Sequence, residues 1–559
     1  MSARLTGLTA AILATTTMLL TAIMAPAWAQ SLPHFESHDG KHLFVVDGEP
    51  YLMLTAQANN SSNYPDMLEK VWPAVHDLGA NTLQIPVAWE QVEPEEGRFD
   101  FSYLETLIDE ARENEIRLVL LWFATWKNTS PNYTPEWVKL DNERFPRLKK
   151  KDGTTSYALT PLSRETLEAD KRAFVRMMEW LKRNDREQTV IMVQVQNEPG
   201  TYSSVRDYSD AAQAVFEDAV PQKLVEHLGV GTGTWPQVFG ADGDEFFHAW
   251  HIASYIGEIA AAGRAVYDLP MYANAALKDP INDQGPESYA SGGPTHNVIG
   301  IYKAAAPALD FVSPDIYMRD DLRYTAVLDH YARPDNPLFV SETGNAPDFA
   351  RYFFDVFGHG AIGFAPFGTD YTGYANYPLG GKEVSPESLQ PFAANYSLLA
   401  PFAGEWARLA YERQVWGAGR PDDNAPRILD LGPWRATVEF DQWQFGEDEW
   451  WGDDVERREP AVNAGILVAD LGENAYLVTG YNARVRFDPA EELEGRGFLF
   501  ASVEEVVWED GEWRMVRRWN GDQTDYGLNF TDERQILRVR LATYDENIVD
   551  EGRAIAEEN

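Results

Sequence analysis

From about residue 40 to residue 415, short apolar runs alternate with amphipathic stretches, a pattern that predicts βα units around a parallel sheet. The runs fall at 51–54, 82–87, 118–123, 190–196, 271–274, 311–313, 338–341 and 363–367. After the first, Leu68, Val71, Trp72, Val75 and Leu78 share one helical face, and Gly79 follows as a stop. Ser102 with Glu105 reads as a capping box ahead of Leu104, Leu107, Ile108 and Ala111. Run 118–123 is continuously apolar, as expected of a strand buried on both faces. Leu167, Phe174, Met177, Met178 and Leu181 mark the next helix. Eight strands with intervening helices predict a (β/α)8 TIM barrel with enlarged loops; an open doubly wound sheet is the alternative. A last helix should start at Ser385-Pro386-Glu387, with Pro391 and Pro401 breaking or kinking it.

Beyond Trp416 the texture changes. Residues 421–426 read as a linker, and 466–469, 476–479, 498–506, 513–519 and 536–542 read as strands. Asp510-Gly511 between Trp508 and Trp513 is a hairpin-turn signal. The expected organisation is a signal peptide at 1–29, a barrel at 30–415 and an all-β, sandwich-like C-terminal domain at 416–559. Trp443, Trp450 and Trp451 in the acidic stretch 439–459 suit a sugar-binding surface, an inter-domain contact or a loop on the site's rim.

The signal peptide is read from Arg4, an apolar stretch at 5–24, and Ala27-Trp28-Ala29 ahead of Gln30. An uncleaved anchor is the alternative, but the small residues of the cleavage site and the polar chain after it favour export. Composition narrows the partners. With 47 Lys and Arg against 88 Asp and Glu, the net charge of −41 argues against nucleic acid and anionic membrane surfaces. The absence of cysteine removes disulfides, thiolate catalysis and metal–thiolate sites. The 18 Trp, 25 Tyr and 27 Phe beside this acidity hint at sugar handling. No cofactor or metal is expected. Gly229-Val230-Gly231-Thr232-Gly233 lies outside a strand-to-helix turn and reads as a loop, and His248 with His251 completes no metal signature and reads as part of a structural helix. Nothing in the sequence points to a particular oligomeric state.

On a barrel, chemistry belongs at the C-terminal ends of the strands. The fourth run is followed by Asn197-Glu198-Pro199-Gly200 and the seventh by Glu342-Thr343-Gly344-Asn345. Strands four and seven lie across the barrel mouth from each other, so inward side chains can face one another. Two facing carboxyl groups are the apparatus of glycoside hydrolysis. Other strand ends carry sugar-contact candidates: Asn59 and Asn60; Trp89 and Glu90; Trp126, Lys127 and Asn128. Amides, carboxylates and lysines bind hydroxyls, and aromatic faces stack on sugars; for each residue alone, packing or a loop salt bridge is an equal alternative. Glu93 with Pro94 and Gly97 reads as a structural turn.

Asn197-Glu198-Pro199 with Glu342 resembles the clan of retaining glycosidases on (β/α)8 barrels. Within it, stretches 89–101, 121–128 and 194–200 resemble glycoside hydrolase family 35, in its bacterial β-galactosidase branch with a C-terminal β domain. The residues after Glu342 depart from the better-known branch. The resemblance implies Glu198 as acid/base, Glu342 as nucleophile, Tyr317 as a donor to the nucleophile, and Asn197 as a partner of the hydroxyl beside the anomeric carbon. It implies a retaining exo-β-galactosidase acting on oligosaccharide or plant-type polysaccharide with terminal β-galactose, and the signal peptide makes a periplasmic or secreted bacterial protein the expectation. A β-glycosidase for another terminal sugar, such as glucosamine or glucose, and a non-hydrolytic carbohydrate-binding barrel stand as alternatives.

Overall fold

The structure is a computed structural model that describes residues 31–440, 461–493 and 496–544. The expected signal peptide and Trp443, Trp450 and Trp451 lie outside the described residues. Eight strands close a barrel: β1 (Met53–Gln57), β2 (Thr82–Ala88), β3 (Arg117–Lys127), β4 (Val190–Asn197), β5 (Met271–Ala276), β6 (Phe311–Ile316), β7 (Phe339–Thr343) and β8 (Gly363–Pro366). Neighbouring strands are parallel, and β8 returns to β1 through Gly363 and Met53, which replaces the open-sheet alternative with closure.

The outward faces are covered by helices. Helix α1 (Pro65–Leu78) buries the predicted stripe of Leu68, Val71, Trp72, Val75 and Leu78, and Gly79 ends it in the left-handed conformation at φ 71°. Helix α2 (Ser102–Glu113) corrects one expectation. Ser102 is its first helical residue rather than its cap, and the Asp100 carboxylate accepts the Ser102 N–H at 2.9 Å. Helix α3 (Arg164–Asn184) is capped by Ser163, whose hydroxyl accepts the Thr166 N–H at 3.2 Å. Helix α4 (Gly243–Val266) precedes β5, and α5 (Tyr352–Gly358) precedes β8. Helix α6 (Pro386–Leu399) runs through Pro391 unbroken, while Pro401 sits in the 3-10 turn Ala400–Phe402 where the chain changes direction. No helix among the described residues is long and apolar enough to cross a membrane.

Inside, the barrel is divided into an apolar floor and a polar mouth. Met53, Val119, Leu121, Phe123, Tyr272, Phe311 and Phe339 fill the floor together with Phe44. Phe44 comes from a hairpin (His34–His38 and Lys41–Val46) that the apolar pattern did not single out. The hairpin plugs the N-terminal end of the barrel. Phe35 stacks on Phe44 at 5.0 Å and meets Phe311 edge-on at 5.7 Å. Toward the C-terminal end, Gln57, Gln84, Gln194, Asn274, Ser313, Asp315, Ser341 and Glu342 are all buried. Polar groups in that position must find partners or do chemistry.

Among the described residues, ten strands follow the barrel: β9 (Val415–Gly419), β10 (Arg427–Asp430), β11 (Trp434–Glu439), β12 (Gly465–Gly472), β13 (Ala475–Tyr481), β14 (Ala483–Pro489), β15 (Gly497–Glu509), β16 (Glu512–Arg518), β17 (Leu528–Phe530) and β18 (Gln535–Tyr544). They form a six-stranded sheet in the order β9-β12-β13-β18-β15-β16 and a four-stranded sheet in the order β10-β11-β14-β17. Val468, Val478, Val539 and Leu541 of one sheet share a core with Trp434, Val438, Val485 and Phe487 of the other, which makes the pair a sandwich. Asp510 and Gly511, at φ 52° and 79°, turn the β15–β16 hairpin where the sequence signalled it. Strand β9 lies against α5 so closely that a Cβ on Gly417 would stand 1.9 Å from the Phe354 carbonyl oxygen. Ion pairs from Arg351 to Asp422 and from Arg427 to Asp321, each at 2.5 Å, bridge the same junction.

Candidate active site

The chain leaves β4 in a strained conformation. Gln196 and Glu198 have φ of 67° and 43°, in the left-handed region that costs a non-glycine residue on the order of 1 to 3 kcal/mol. Side chains hold both. The Glu198 N–H donates to Asn274 Oδ1 at 2.8 Å. Gln196 Oε1 accepts the Trp126 N–H at 2.9 Å, and its Nε2 donates to Asp170 Oδ2 at 2.7 Å. Asp170, on α3 and fully buried, also accepts from Trp122 Nε1 at 2.8 Å and Thr125 Oγ1 at 2.6 Å. Burial pushes its carboxyl up to about 6, against the pull of these donors. It therefore ties β3 and β4 together beneath the site. Gly200, at φ 126°, lets the following turn approach the 290–293 loop, where a Cβ would meet the Ala290 carbonyl oxygen at 2.6 Å.

Glu342 reaches the barrel interior through an irregularity. Strand alternation would put Ser341 and Glu342 on opposite faces, but the β7–β8 register shifts between Val340 and Thr343. Both side chains then find partners at the mouth. Ser341 Oγ lies 2.7 Å from Ser313 Oγ and donates to Asp315 Oδ1 at 2.9 Å. Glu342 Oε1 accepts from Gln57 Nε2 at 2.8 Å and Asn197 Nδ2 at 3.3 Å, and its Oε2 accepts from the Tyr317 hydroxyl at 2.8 Å. Among the described residues, three donors thus converge on the two oxygens of this carboxyl. Burial and the Glu342 charge raise the Tyr317 phenol well above its ordinary range, so it stays a donor.

Carboxyl oxygens of Glu198, Asp315 and Glu342 lie within 4.8 Å of one another, and the three residues are 7%, 3% and 3% exposed. Asn274 clamps two of them: its Oδ1 takes the Glu198 N–H, and its Nδ2 donates to Asp315 Oδ2 at 2.6 Å. Burial, then the Glu342 charge, pushes Glu198 up to about 7, with Lys127 and a hydrogen bond to Asp315 pulling the other way. Burial, then the charges of Glu342 and Glu198, holds Asp315 well above the usual carboxylate range. These three are also the residues, among those described, whose oxygens could converge on a cation. The donors from Gln57, Asn197, Asn274, Tyr317 and Ser341 already aim at oxygens of Glu342 and Asp315, so those oxygens have partners within the protein.

Of the residues singled out in the sequence, Glu198, Glu342, Asn197 and Tyr317 meet in this cluster. Lys127 joins it electrostatically, acting on both Glu198 and Asp315, and its ammonium is bonded to Asn128 Oδ1. Asn128 itself is exposed at φ 50°, with its N–H on the Asn197 carbonyl at 3.2 Å. Asn59 is tied by its N–H and Nδ2 to Asp370 at 2.8 and 2.9 Å, which joins the loops after β1 and β8. Among the described residues, its Oδ1 and that of Asn60 are buried without a partner.

Two expected sugar contacts, Trp89 and Trp126, are corrected. Trp89 has no exposed surface: its Nε1 donates to Glu93 Oε2 at 3.0 Å and its ring meets Trp137 edge-on at 5.8 Å. Trp126, 1% exposed, packs on Tyr255 at 4.7 Å and donates to the Leu159 carbonyl at 3.2 Å. Neither can offer a stacking face. Glu90 is engaged by Lys139 at 2.7 Å. Glu93 is the turn residue it was read as, accepting from the Gly97 N–H at 2.8 Å. His248 is likewise structural, buried with Nε2 2.8 Å from Thr201 Oγ1. The sequence missed Asp315, Asn274, Gln57, Ser341 and Asp170.

Residues 63–240 match the glycoside hydrolase family 42 model, described as β-galactosidase, a stretch that takes in β2 to β4 and Glu198. Residues 392–531 match DUF5597, a domain of unknown function, which begins inside α6 and ends just past β17. A β-galactosidase of Xanthomonas manihotis is 27% identical over 203 residues, which cover 35% of this chain and 31% of that protein. The match thus spans about a third of that relative's length. Among solved structures, the β-galactosidase of the psychrophilic Marinomonas ef1 superposes with a TM-score of 0.45 at 14% identity, covering 64% of this chain and 62% of the other. The cold-adapted β-galactosidase of Rahnella sp. R3 gives 0.44 at 16% identity, with 64% and 60% covered. That of the haloarchaeon Halorubrum lacusprofundi gives 0.42 at 17% identity, with 63% and 58% covered. Within the barrel, residues 63–240 are thus similar to a glycoside hydrolase domain of the β-galactosidase type.

Proposed function

We propose that the protein is a retaining exo-β-galactosidase that releases terminal β-linked galactose from an oligo- or polysaccharide. The observation that carries the reading is the pair Glu198 and Glu342 at the ends of β4 and β7, with carboxyl oxygens within 4.8 Å. A retaining pair stands about 5 to 5.5 Å apart, whereas an inverting pair leaves room for water at about 6.5 to 9.5 Å. Glu342 attacks the anomeric carbon as Glu198 gives its proton to the leaving oxygen. The carbon–oxygen bond to the aglycone breaks and a glycosyl ester on Glu342 forms. Water then attacks that carbon, Glu198 takes its proton, and the sugar leaves with its original configuration. Because the Glu342 charge helps raise Glu198, consuming that charge in the ester turns the acid into a base at the right moment.

Asn197 suits the hydroxyl beside the anomeric carbon: its Nδ2 reaches Glu342, and its Oδ1 is buried with no protein partner. The depth of the carboxyls favours a pocket for one terminal sugar over an open cleft. Placement in family 35 belongs to the same proposal and rests on stretches 89–101, 121–128 and 194–200; the matching family model is the one for family 42. Export to the periplasm or medium rests on residues 1–29 and is checked by N-terminal sequencing of the mature protein, which should begin at Gln30. The function is tested with nitrophenyl β-galactoside and β-glucoside, following the first-formed anomer by proton NMR. Faster galactoside cleavage with β-anomer appearing first is expected. A preference for glucoside would move the specificity, α-anomer first would overturn both carboxylate roles, and sugar binding without turnover would leave a carbohydrate-binding barrel.

A further inference from the structure

Asp315 has no part in the two-carboxylate scheme, yet it lies within 4.8 Å of both members of the pair. Its carboxyl stands beside that of Glu198, both buried at the barrel mouth. Ionised carboxyls are acceptors only and repel one another, so two of them packed together in a buried mouth are relieved by a proton held between them. Asn274 fixes where that proton is absent. Its Oδ1 is committed to the Glu198 N–H, so the group facing Asp315 Oδ2 at 2.6 Å is the amide NH2, and Oδ2 is an acceptor. The hydroxyl of Ser341 on Oδ1 also faces Ser313 Oγ and can donate to either.

The surrounding charges point the same way. Glu198 from β4 and Glu342 from β7 face Asp315 as carboxyls, and Lys127 from β3 is the cation acting on it. Tyr272 from β5, Tyr317 beyond β6, Tyr331 of helix Asp321–Tyr331 and Tyr202 of the loop after β4 feel its charge, and all four phenols are raised and so neutral. One ammonium cannot balance three buried carboxylates.

We propose that Asp315 is a positioning residue that keeps a proton and donates it in a hydrogen bond to Glu198, aiming the acid/base and setting the pH at which it ionises. The proposal rests on the assignment of Glu198 as acid/base. Together with the Asn274 clamp on the Glu198 backbone, it explains how a carboxyl at a strained φ of 43° is held in one orientation. It also gives the polar mouth a division of labour: amides and a phenol serve Glu342, while Asn274 and Asp315 serve Glu198.

The test is the pH profile of kcat/KM on nitrophenyl β-galactoside for wild type, Asp315→Asn and Asp315→Ala. Circular dichroism checks folding, and Asp315→Leu replaces the alanine variant if that one does not fold. A neutral donor at 315 makes the asparagine variant slower but leaves its basic limb within about half a pH unit of wild type. Loss of the donor in the alanine or leucine variant should move the limb up by about one unit, the value of one hydrogen bond to a charged group. If Asp315 is instead ionised, both variants lose a negative charge within 4.8 Å of Glu198. Both limbs then move down, by about two and a half units at an effective dielectric near 20. Downward movement overturns the proposal, and so do limbs that stay put in both variants, which would leave Asp315 a packing residue. A wild-type enzyme that inverts, or that has no hydrolysis to profile, would fail the assignment of Glu198 and not the role of Asp315 beside it.

Discussion

Replacing Tyr317 by Phe removes one atom from the site and little else. Glu342 Oε1 is held by two amides, from Gln57 and Asn197, but among the described residues Tyr317 alone holds Oε2, at 2.8 Å. Without the phenol hydroxyl the carboxylate can rotate about the Oε1 contacts, and its attack on the anomeric carbon loses alignment. A hydrogen bond to a charged group is worth about 1.5 to 3 kcal/mol, and each 1.36 kcal/mol is tenfold in rate, so kcat/KM should fall by roughly 10- to 150-fold. The loss should sit in kcat, with KM changed by less than about threefold, because the bond is to the nucleophile and not to the sugar. The ring stays in place against Phe367, edge-on at 6.5 Å, so folding should be preserved. Steady-state kinetics on nitrophenyl β-galactoside beside a thermal melt reads all three quantities. Activity within about threefold of wild type would refute the role, and so would a loss confined to KM.

Other outcomes follow from the same contacts. Burial and the Glu342 charge raise Glu198 to about 7 in the fold, so the basic limb of kcat/KM should lie near neutrality. The folded state then binds more protons than the unfolded chain between the ordinary carboxylate range and about 7, so this group's contribution to stability is present at low pH and fades as pH rises through 7. Glu342→Gln removes the charge, and calorimetry should show the variant gaining melting temperature over wild type at pH 8 and gaining less at pH 5. Asp170→Ala leaves the donors of Trp122, Thr125 and Gln196 without their acceptor and should destabilise the fold on the order of 3 kcal/mol, read by urea unfolding. Phe44→Ala opens a cavity at the plugged end of the barrel and should cost about 3 to 5 kcal/mol while leaving KM near wild type.

The barrel was legible because its strands are apolar on both faces through their first halves, and the two reacting carboxylates were legible because they follow such runs. Two of the missed residues share a cause. Gln57 and Asp315 stand at the ends of β1 and β6, where inward positions turn polar, while Asn274, inside the fifth run, is one polar residue among apolar neighbours in β5. A reading that follows hydrophobic runs cuts such strands short: the sixth run was ended at residue 313, yet β6 continues to Ile316. Carrying the alternation of 311 and 313 two steps further puts Asp315 and Tyr317 on the same inward face. Ser341 was obscured differently, since the shift at β7 breaks the alternation that would have separated it from Glu342. Trp89 and Trp126 were misplaced because an aromatic at a strand end fits a sugar platform and a core anchor equally well, and only the partners of their indole N–H groups, Glu93 and the Leu159 carbonyl, tell the two apart. The floor hairpin went unnoticed because its first strand is exposed along most of its length, its contribution resting on single phenylalanines.

The division of labour between the two glutamates is tested most directly by trapping the covalent intermediate. A 2-deoxy-2-fluoro-β-galactosyl fluoride slows both steps but the hydrolysis of the glycosyl-enzyme more, so an ester should accumulate. Mass spectrometry of the inactivated protein should find one fluorogalactosyl group, and peptide mapping should place it on Glu342, with activity returning as the ester turns over. A label on Glu198 or Asp315 would contradict the account, as would turnover of galactosides with no label at any concentration.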